Sequence, residues 1–477
     1  MTTAIVWFRR DFRLTDHPAL DAACANHKQV VPVYIHAPDE DASWQPGGAS
    51  RWWLHHSLKA LDGSLRVRGS SLLILKGGTL AELRRLIAAT GATAVHWNRV
   101  YEPAIIARDK DIKQALRADS NNVQSHNGAL LFEPWTLKTG AGDPYRVFTP
   151  FWRNASAHMP TAAPLPAPEQ ISTPQQTVPG LPLDALKLLP AIPWDGGFYE
   201  HWQPGEAGAM RRLDTFCESA IADYKAKRDY PAVAATSALS PYLHFGEISP
   251  RQIVTRVRTE MAHDTQAGAM AGAEHFIREV GWREFAHHLL FHYPQTPDTP
   301  LYVEKYGRFP WRERTDYIGD LEAWQQGRTG IPIVDAGMRQ LWHTGWMHNR
   351  VRMIVASLLT KNLLIPWQEG ARWFWDTLVD ASLANNTLGW QWSAGCGADA
   401  APFYRIFNPV LQSAKFDERG EYLRRWIPEL KGVPTEYIHA PWEHPSVLNG
   451  TGYPKPIIDL AASRQRALGA YEKIKAG

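Results

Sequence analysis

Cysteine is scarce in this chain and scattered: Cys24, Cys217 and Cys396 are the only three in 477 residues. They form neither a paired metal spacing nor a disulfide framework, and read as reduced structural thiols of a cytoplasmic protein. They are too few for a four-cysteine iron-sulfur site, and no other metal cluster is expected. No apolar run is long enough to cross a bilayer, which argues against a membrane partner. Met1-Thr2-Thr3-Ala4 passes directly into an apolar strand, without the basic stretch and cleavage site of a secretory leader. Excess charge is also small: a formal net charge of +3 excludes a broad basic field, so any contact with nucleic acid must come from a local patch. Internal repeats and low-complexity tracts are missing too.

What is abundant is tryptophan, 21 residues of it, which first of all implies a large aromatic core. Short apolar runs at Thr3–Phe8, Val30–Ile35, Leu72–Leu75 and Ala94–Trp97 alternate with helical patterns. That alternation predicts a doubly wound parallel α/β sheet over residues 1–130, with ligands at the carboxyl ends of its strands. No Gly-x-Gly-x-x-Gly follows the first strand, so a standard dinucleotide site is unsupported there. Nine prolines between Pro160 and Pro193 mark an extended connection, and residues 131–205 are read as a linker. Beyond it, over 206–477, apolar residues recur with helical period, over Met210–Arg228, Pro250–Met261, Ala273–Tyr293, Ile333–Leu359 and Gly370–Leu378. The second domain is expected to be all-α.

Within it several constellations mix residue types that plain core does not need. On a helix Trp346, Asn349 and Met353 share a face with Arg352 beside it, and a buried guanidinium needs a partner, for which Asp380 is suited. Glu279, Trp282 and Arg283 fall at i, i+3 and i+4, which puts a carboxylate, a ring and a guanidinium together; a surface ion pair is the plainer explanation. Thr236-Ser237-Ala238-Leu239-Ser240-Pro241 sets three hydroxyls at a helix start, as either a simple N-cap or an anion site. Trp390 and Trp392, two positions apart on a helix, are expected to point in nearly opposite directions.

Gly345-Trp-Met-His-Asn-Arg350, Gly389-Trp-Gln-Trp392 and Asp399-Ala-Ala-Pro-Phe-Tyr-Arg-Ile-Phe-Asn-Pro409 resemble the photolyase and cryptochrome flavoproteins, most closely the bacterial cyclobutane pyrimidine dimer photolyases. The resemblance runs over nearly the whole chain. It implies FAD in the helical domain, held by Tyr224, Thr236 to Ser240, Phe276, Arg283, Asn349, Arg352, Asp380, Ser382 and Asn386. It implies a lesion pocket of Glu279, Trp282, Asn349, Met353 and Trp392, and an electron path through Trp390, Trp367 and Trp311. UV-damaged DNA is the implied partner of a monomer, contacted by Arg228, Glu279, Trp282, Asn349, Arg350 and Arg405. Asn386, where plant cryptochromes place Asp, and Met353 point to repair of cyclobutane dimers; a signalling cryptochrome is the alternative, against which the short stretch after Leu430 also stands. One departure is Ser382, where the family usually has a second Asp. For a second, antenna pigment, Tyr101–Asp109 lies where some relatives hold folate, but Ala104 and Ile105 replace the residues used there, which leaves folate held differently, a deazaflavin or an empty cleft as alternatives.

Overall fold

The computed structural model describes residues 2–174, 178–263 and 267–475. Five parallel strands, β1 (Thr3–Phe8), β2 (Gln29–His36), β3 (Leu73–Lys76), β4 (Ala94–Asn98) and β5 (Asn122–His126), form one sheet in the order β3-β2-β1-β4-β5. β1 is the centre, paired with β2 from Thr3–Gln29 to Phe8–Tyr34 and with β4 from Ala4 opposite Ala94. It is buried along its whole length, as an unbroken apolar run requires of a parallel strand covered on both faces. The fifth strand escapes the sequence reading because Asn122-Val-Gln-Ser-His126 is polar; it pairs on one side only, at the sheet edge, where polar residues are tolerated.

Strand order reverses between β1 and β4, where such sheets open a crevice. Side chains fill that point here. Asn98 donates to Asp11 Oδ2 at 2.8 Å, His17 Nε2 lies 2.9 Å from the same oxygen, and Arg9 lies beside them. The open space lies next to this plug, at the ends of β1 and β2.

The proline-rich stretch is laid against the sheet domain: Val30 N donates to Ser172 O, Ile171 N to Arg68 O and Leu181 N to Ile74 O. Residues 175–177, inside this stretch, lie outside the described residues. The region read as linker also contains a ten-residue helix, Phe148–Ala157, whose buried Phe148 and Phe151 pack on Phe285. Two buried side chains bind the halves together. Arg13 donates to Gly246 O (2.9 Å) and Gly128 O (2.7 Å); Glu247 accepts from Trp53 Nε1 (3.1 Å), Ser57 Oγ (2.6 Å) and Gly205 N (2.7 Å). Burial pushes the Glu247 carboxyl up to about 8.

The second half is helical, as expected, but two long periodic stretches are each broken. Met210–Arg228 is divided between Glu206–Ser219 and the single turn Tyr224–Lys227. Ile333–Leu359 becomes Pro332–Thr344 and Asn349–Ser357, followed by a π-helical turn at Leu358–Asn362. The second break is made by Gly345, whose φ of 67° suits glycine; a Cβ there would stand 2.6 Å from Phe198 and 2.7 Å from Val379. Apolar period alone cannot register such a break, because residues on both sides still face the core. No helix among the described residues is long and apolar enough to cross a membrane.

Candidate functional site

A cavity of about 870 Å³ opens between the helices and the carboxyl ends of the strands. The helix Ala267–His292 gives it Phe276, Glu279, Trp282 and Arg283; Asn349–Ser357 gives Asn349, Arg350, Arg352 and Met353. Asn349 and Met353 thus share the expected face, but Trp346 precedes the helix, which His348 caps by accepting from Arg350 N at 3.2 Å. That bond requires an unprotonated imidazole, and burial holds His348 down at about 4. Arg352 meets the expected partner: its Nη2 lies 2.8 Å from Asp380 Oδ2, and its Nε donates to Met347 O. Ser240 Oγ donates to that same carboxylate oxygen at 2.6 Å.

The helix Leu383–Ala394 shows why Trp390 and Trp392 both reach the cavity although they point apart. At 100° per residue they bound an arc of roughly 160°, and Asn386, Gly389 and Ser393 lie inside it. Gln391 points away, held by Leu301 N, Thr296 O and Thr299 O. Trp390 is buried against Phe374 (5.0 Å between centroids) and Trp324 (6.2 Å), and lies so close to Gly370 that a Cβ there would stand 2.0 Å from its ring. Asn386 Nδ2 donates to Ala371 O at 2.9 Å, which leaves its amide oxygen for another partner. Trp367 is buried one helical turn before Gly370, and half-buried Trp311 packs on Phe309; neither lines the cavity.

Two arginines on the cavity wall are held by carboxylates and lie over aromatic rings. Arg228 pairs with Glu279 and lies over the Tyr224 ring (5.3 Å); Arg350 Nη2 bonds Asp229 at 2.8 Å and lies over Phe416 (4.5 Å). Burial leads the influences on Tyr224 and pushes its hydroxyl up, keeping it neutral. Trp282 stacks on Phe148 at 3.7 Å, so one ring face is already covered. Arg405 lies off the cavity, exposed, on the loop after the Trp392 helix, and has no ion-pair partner among the described residues.

The hydroxyl-rich segment corrects the sequence reading in part. Ser237, Leu239 and Ser240 reach the wall, whereas Thr236 and Ala238 do not; Ala238 takes a positive φ of 48°. The helix that begins at Ser240 ends at His244, too short for a developed dipole, and Leu239 caps it without a side-chain bond.

Sequence reading also missed residues contributed by the sheet domain. Arg10, Val100, Tyr101, Glu102 and Ala129 line the cavity, so part of the stretch expected to hold an antenna pigment faces it instead. Ile105 and Arg108 of the same stretch face a smaller cavity, about 280 Å³, at the ends of β1 and β2. Arg10, Val100 and His244 line both and separate them. Nothing in local pattern marks these positions, because they meet only after two domains pack. His287, a further wall residue, is driven down to about 3 by burial and then by Arg283.

Comparison with known proteins agrees with this arrangement. Residues 276–473 match the family model of the FAD binding domain of DNA photolyase, and residues 4–169 that of DNA photolyase. The chain is 47% identical to a deoxyribodipyrimidine photo-lyase of Agrobacterium fabrum, over 99% of this chain and 98% of that protein. It is 40% identical to Cryptochrome-2 of Arabidopsis thaliana, over 97% of this chain and 77% of that one. The crystal structure of a bacterial class III photolyase from Agrobacterium tumefaciens matches with a TM-score of 0.95 and 46% identity, over 100% of this chain and 98% of that chain. A two-domain fold, a helix-walled cavity with the Arg352–Asp380 pair and Asn386, and identity over the full chain lead to one conclusion: this protein belongs to the photolyase and cryptochrome family.

Proposed function

We propose that the chain is a deoxyribodipyrimidine photolyase, which uses reduced FAD and light to repair cyclobutane pyrimidine dimers in DNA. The observation that carries this reading is the single large cavity in which Asn386, Trp390 and the Arg352–Asp380 pair meet Glu279, Trp282 and the Arg228 and Arg350 guanidiniums. The wall fits FAD on its own chemistry. Phe276, Leu243, Ala381 and Trp390 offer apolar surface to a ring system, Ser237, Arg283 and Lys225 offer donors to phosphates, and Asn386 presents an amide with one free end. Its volume lies in the range of cofactor sites.

In this reading Tyr224, Ser237, Leu239, Ser240, Phe276, Arg283, Asn349, Arg352, Asp380, Ser382 and Asn386 hold the cofactor, and Thr236 and Ala238, which do not reach the wall, shape the segment between them. The chemistry FAD supplies, when bound and reduced, is the light-driven loan of one electron to the dimer and its recovery once both ring bonds have opened. Around the dimer, Glu279 accepts or donates a hydrogen bond to a pyrimidine edge, and Trp282 offers its uncovered side. Asn349, Met353 and Trp392 complete the pocket. Arg228, Arg350 and Arg405 meet phosphates, and extrusion is aided because a crosslinked pair is already poorly stacked. Trp390, Trp367 and Trp311 carry electrons inward when oxidised flavin must be reduced.

The smaller cavity is the better place for a second pigment. Arg9 (4.5 Å) and Arg108 (5.0 Å) lie over the Trp7 ring there, Arg51 and Lys187 add positive charge, and buried Ser50 Oγ has no hydrogen-bond partner among the described residues. Aromatic surface beside cations suits an anionic pigment, folate or deazaflavin. We further assign residues 1–130 to the α/β domain, 131–205 to the connection and 206–477 to the FAD domain, in a monomer acting in the cytoplasm.

Illumination of the purified protein with a dimer-containing oligonucleotide should restore intact pyrimidines. No light-dependent loss of dimers by flavin-loaded protein would end this reading. Identity to plant cryptochromes favours signalling as a second reading; binding damaged duplex no better than undamaged duplex at matched salt would support it. An absorbance spectrum settles the pigments, because flavin bands identify the first and an added near-UV or violet band the second.

A further inference from the structure

The helix Phe148–Ala157, inside the stretch read as a linker, packs behind the large cavity, and its first residue meets the wall from the far side. Trp282 lines the cavity; against one face of its ring lies the Phe148 ring, 3.7 Å between centroids and 9° from parallel. Phe148 itself is buried and does not line the cavity. Two free rings do not choose so nearly eclipsed a contact, since offset or edge-on arrangements are favoured. The surroundings impose it.

Those surroundings hold Phe148 from several directions. Its backbone N donates to Asp399 Oδ2 at 3.3 Å, Phe285 meets it edge-on at 5.8 Å, and Trp152, one turn along the same helix, lies 6.2 Å away and again 9° from parallel. Trp152 reaches that place because residue 281, next to Trp282, is glycine; a Cβ there would run into the Trp152 ring. Arg278, exposed one turn before Trp282, sets its guanidinium 5.4 Å from the centre of the Phe148 ring.

We propose that Phe148 is a positioning residue for the lesion pocket, which fixes the plane of the Trp282 ring so that one flat face is presented to the cavity. The inference rests on the photolyase reading of Trp282 and deepens it. A ring backed on one face cannot slide between two stacked bases. It can lie only against a base that has already left the stack, which suits an extruded pyrimidine pair and not an intact duplex. A ring fixed in advance also loses little freedom on binding.

The test is Phe148→Leu in the FAD-loaded full chain, which keeps an apolar side chain and removes the flat face. Three quantities are read: affinity for dimer-containing duplex, affinity for undamaged duplex at matched salt, and flavin content. Affinity for the dimer should fall roughly two- to tenfold, the worth of one aromatic pair, while the other two stay unchanged. In a Trp282→Ala background, Phe148→Leu should change neither affinity, because the ring it positions is gone. An equal fall on both duplexes would make Phe148 a general packing residue and overturn the proposal, as would an unchanged dimer affinity or an effect that survives without Trp282. Should Phe148→Leu not fold, Phe148→Met, whose adaptable chain fills the space without offering a plane, takes its place with the same expectations. An unaltered chain that binds both duplexes equally sinks this inference together with the photolyase reading. A preference for the dimer that the variant retains in full sinks this inference alone.

Discussion

The two cavities share a partition of Arg10, Val100 and His244 but differ in how fully their cations are paired. In the large one, Arg352 is paired with Asp380, Arg228 with Glu279 and Arg350 with Asp229. In the small one, Arg9 and Arg108 pair with Asp109, but Arg51 and Lys187 have no ion-pair partner among the described residues. Paired charges hold a geometry in place before a ligand arrives. Unpaired ones wait for an anion to satisfy them. The difference teaches that three guanidiniums of the large cavity are held by carboxylates, whereas two cations of the small one are held by none among the described residues.

The sharpest way to break this contrast is to unpair one charge in the large cavity. Arg352→Ala leaves the Asp380 carboxylate, 8% exposed, without its cation, at a cost of about 3 kcal/mol. Loss of bound flavin and a lowered melting temperature are expected. Arg51→Ala, at the small cavity, should leave flavin content intact; equal flavin loss in both variants would mean the two sites are not separable.

Acid should act next most strongly. His348 and His287 are held at about 4 and about 3, below the ordinary imidazole value of 6.5. Between those values the unfolded chain takes up protons that the folded site refuses, so stability falls as pH drops from about 6.5 toward 4. Thermal unfolding across that window checks the sign, and His348→Asn, which keeps a capping acceptor without the titration, should flatten the fall.

Removing a lesion contact is expected to weigh less. Glu279→Ala should weaken binding of dimer-containing duplex about tenfold, or roughly 1.4 kcal/mol, while flavin content stays unchanged. A titration that finds the same affinity would remove Glu279 from the pocket. The smallest effect belongs to exposed Arg405: Arg405→Ala should lower the slope of log affinity against log salt by about 1 for damaged and undamaged duplex alike. A loss confined to damaged DNA would place Arg405 at the lesion instead of on the backbone.

Much of this molecule is legible from sequence because burial writes a local pattern. Continuous apolar runs specified β1 to β4, since a strand covered on both faces has no polar side to show. β5 left no such trace at its exposed edge, and the breaks at Gly345 and at 220–223 left the apolar period undisturbed. The motifs around Asn349, Asn386 and Trp390 pointed to the large cavity through their resemblance to the photolyase and cryptochrome family. The Arg352–Asp380 pair could be expected because a half-buried guanidinium demands a partner.

Sequence by itself therefore determined the layers, the helical half and the Arg352–Asp380 pair, all of which depend on short-range period and on the need to satisfy buried charge, while the flavin-site residues were implied by resemblance to a family. Only the tertiary structure decided that Arg10, Tyr101 and Glu102 join the wall, that Arg10 and His244 divide two cavities, and that the Ser240 proton points to Asp380. Those outcomes depend on contacts between segments a hundred or more residues apart, such as Ser240 with Asp380 across 140 positions. The direction of a single O–H bond is set by which acceptor packing brings closest, and no local pattern carries that information.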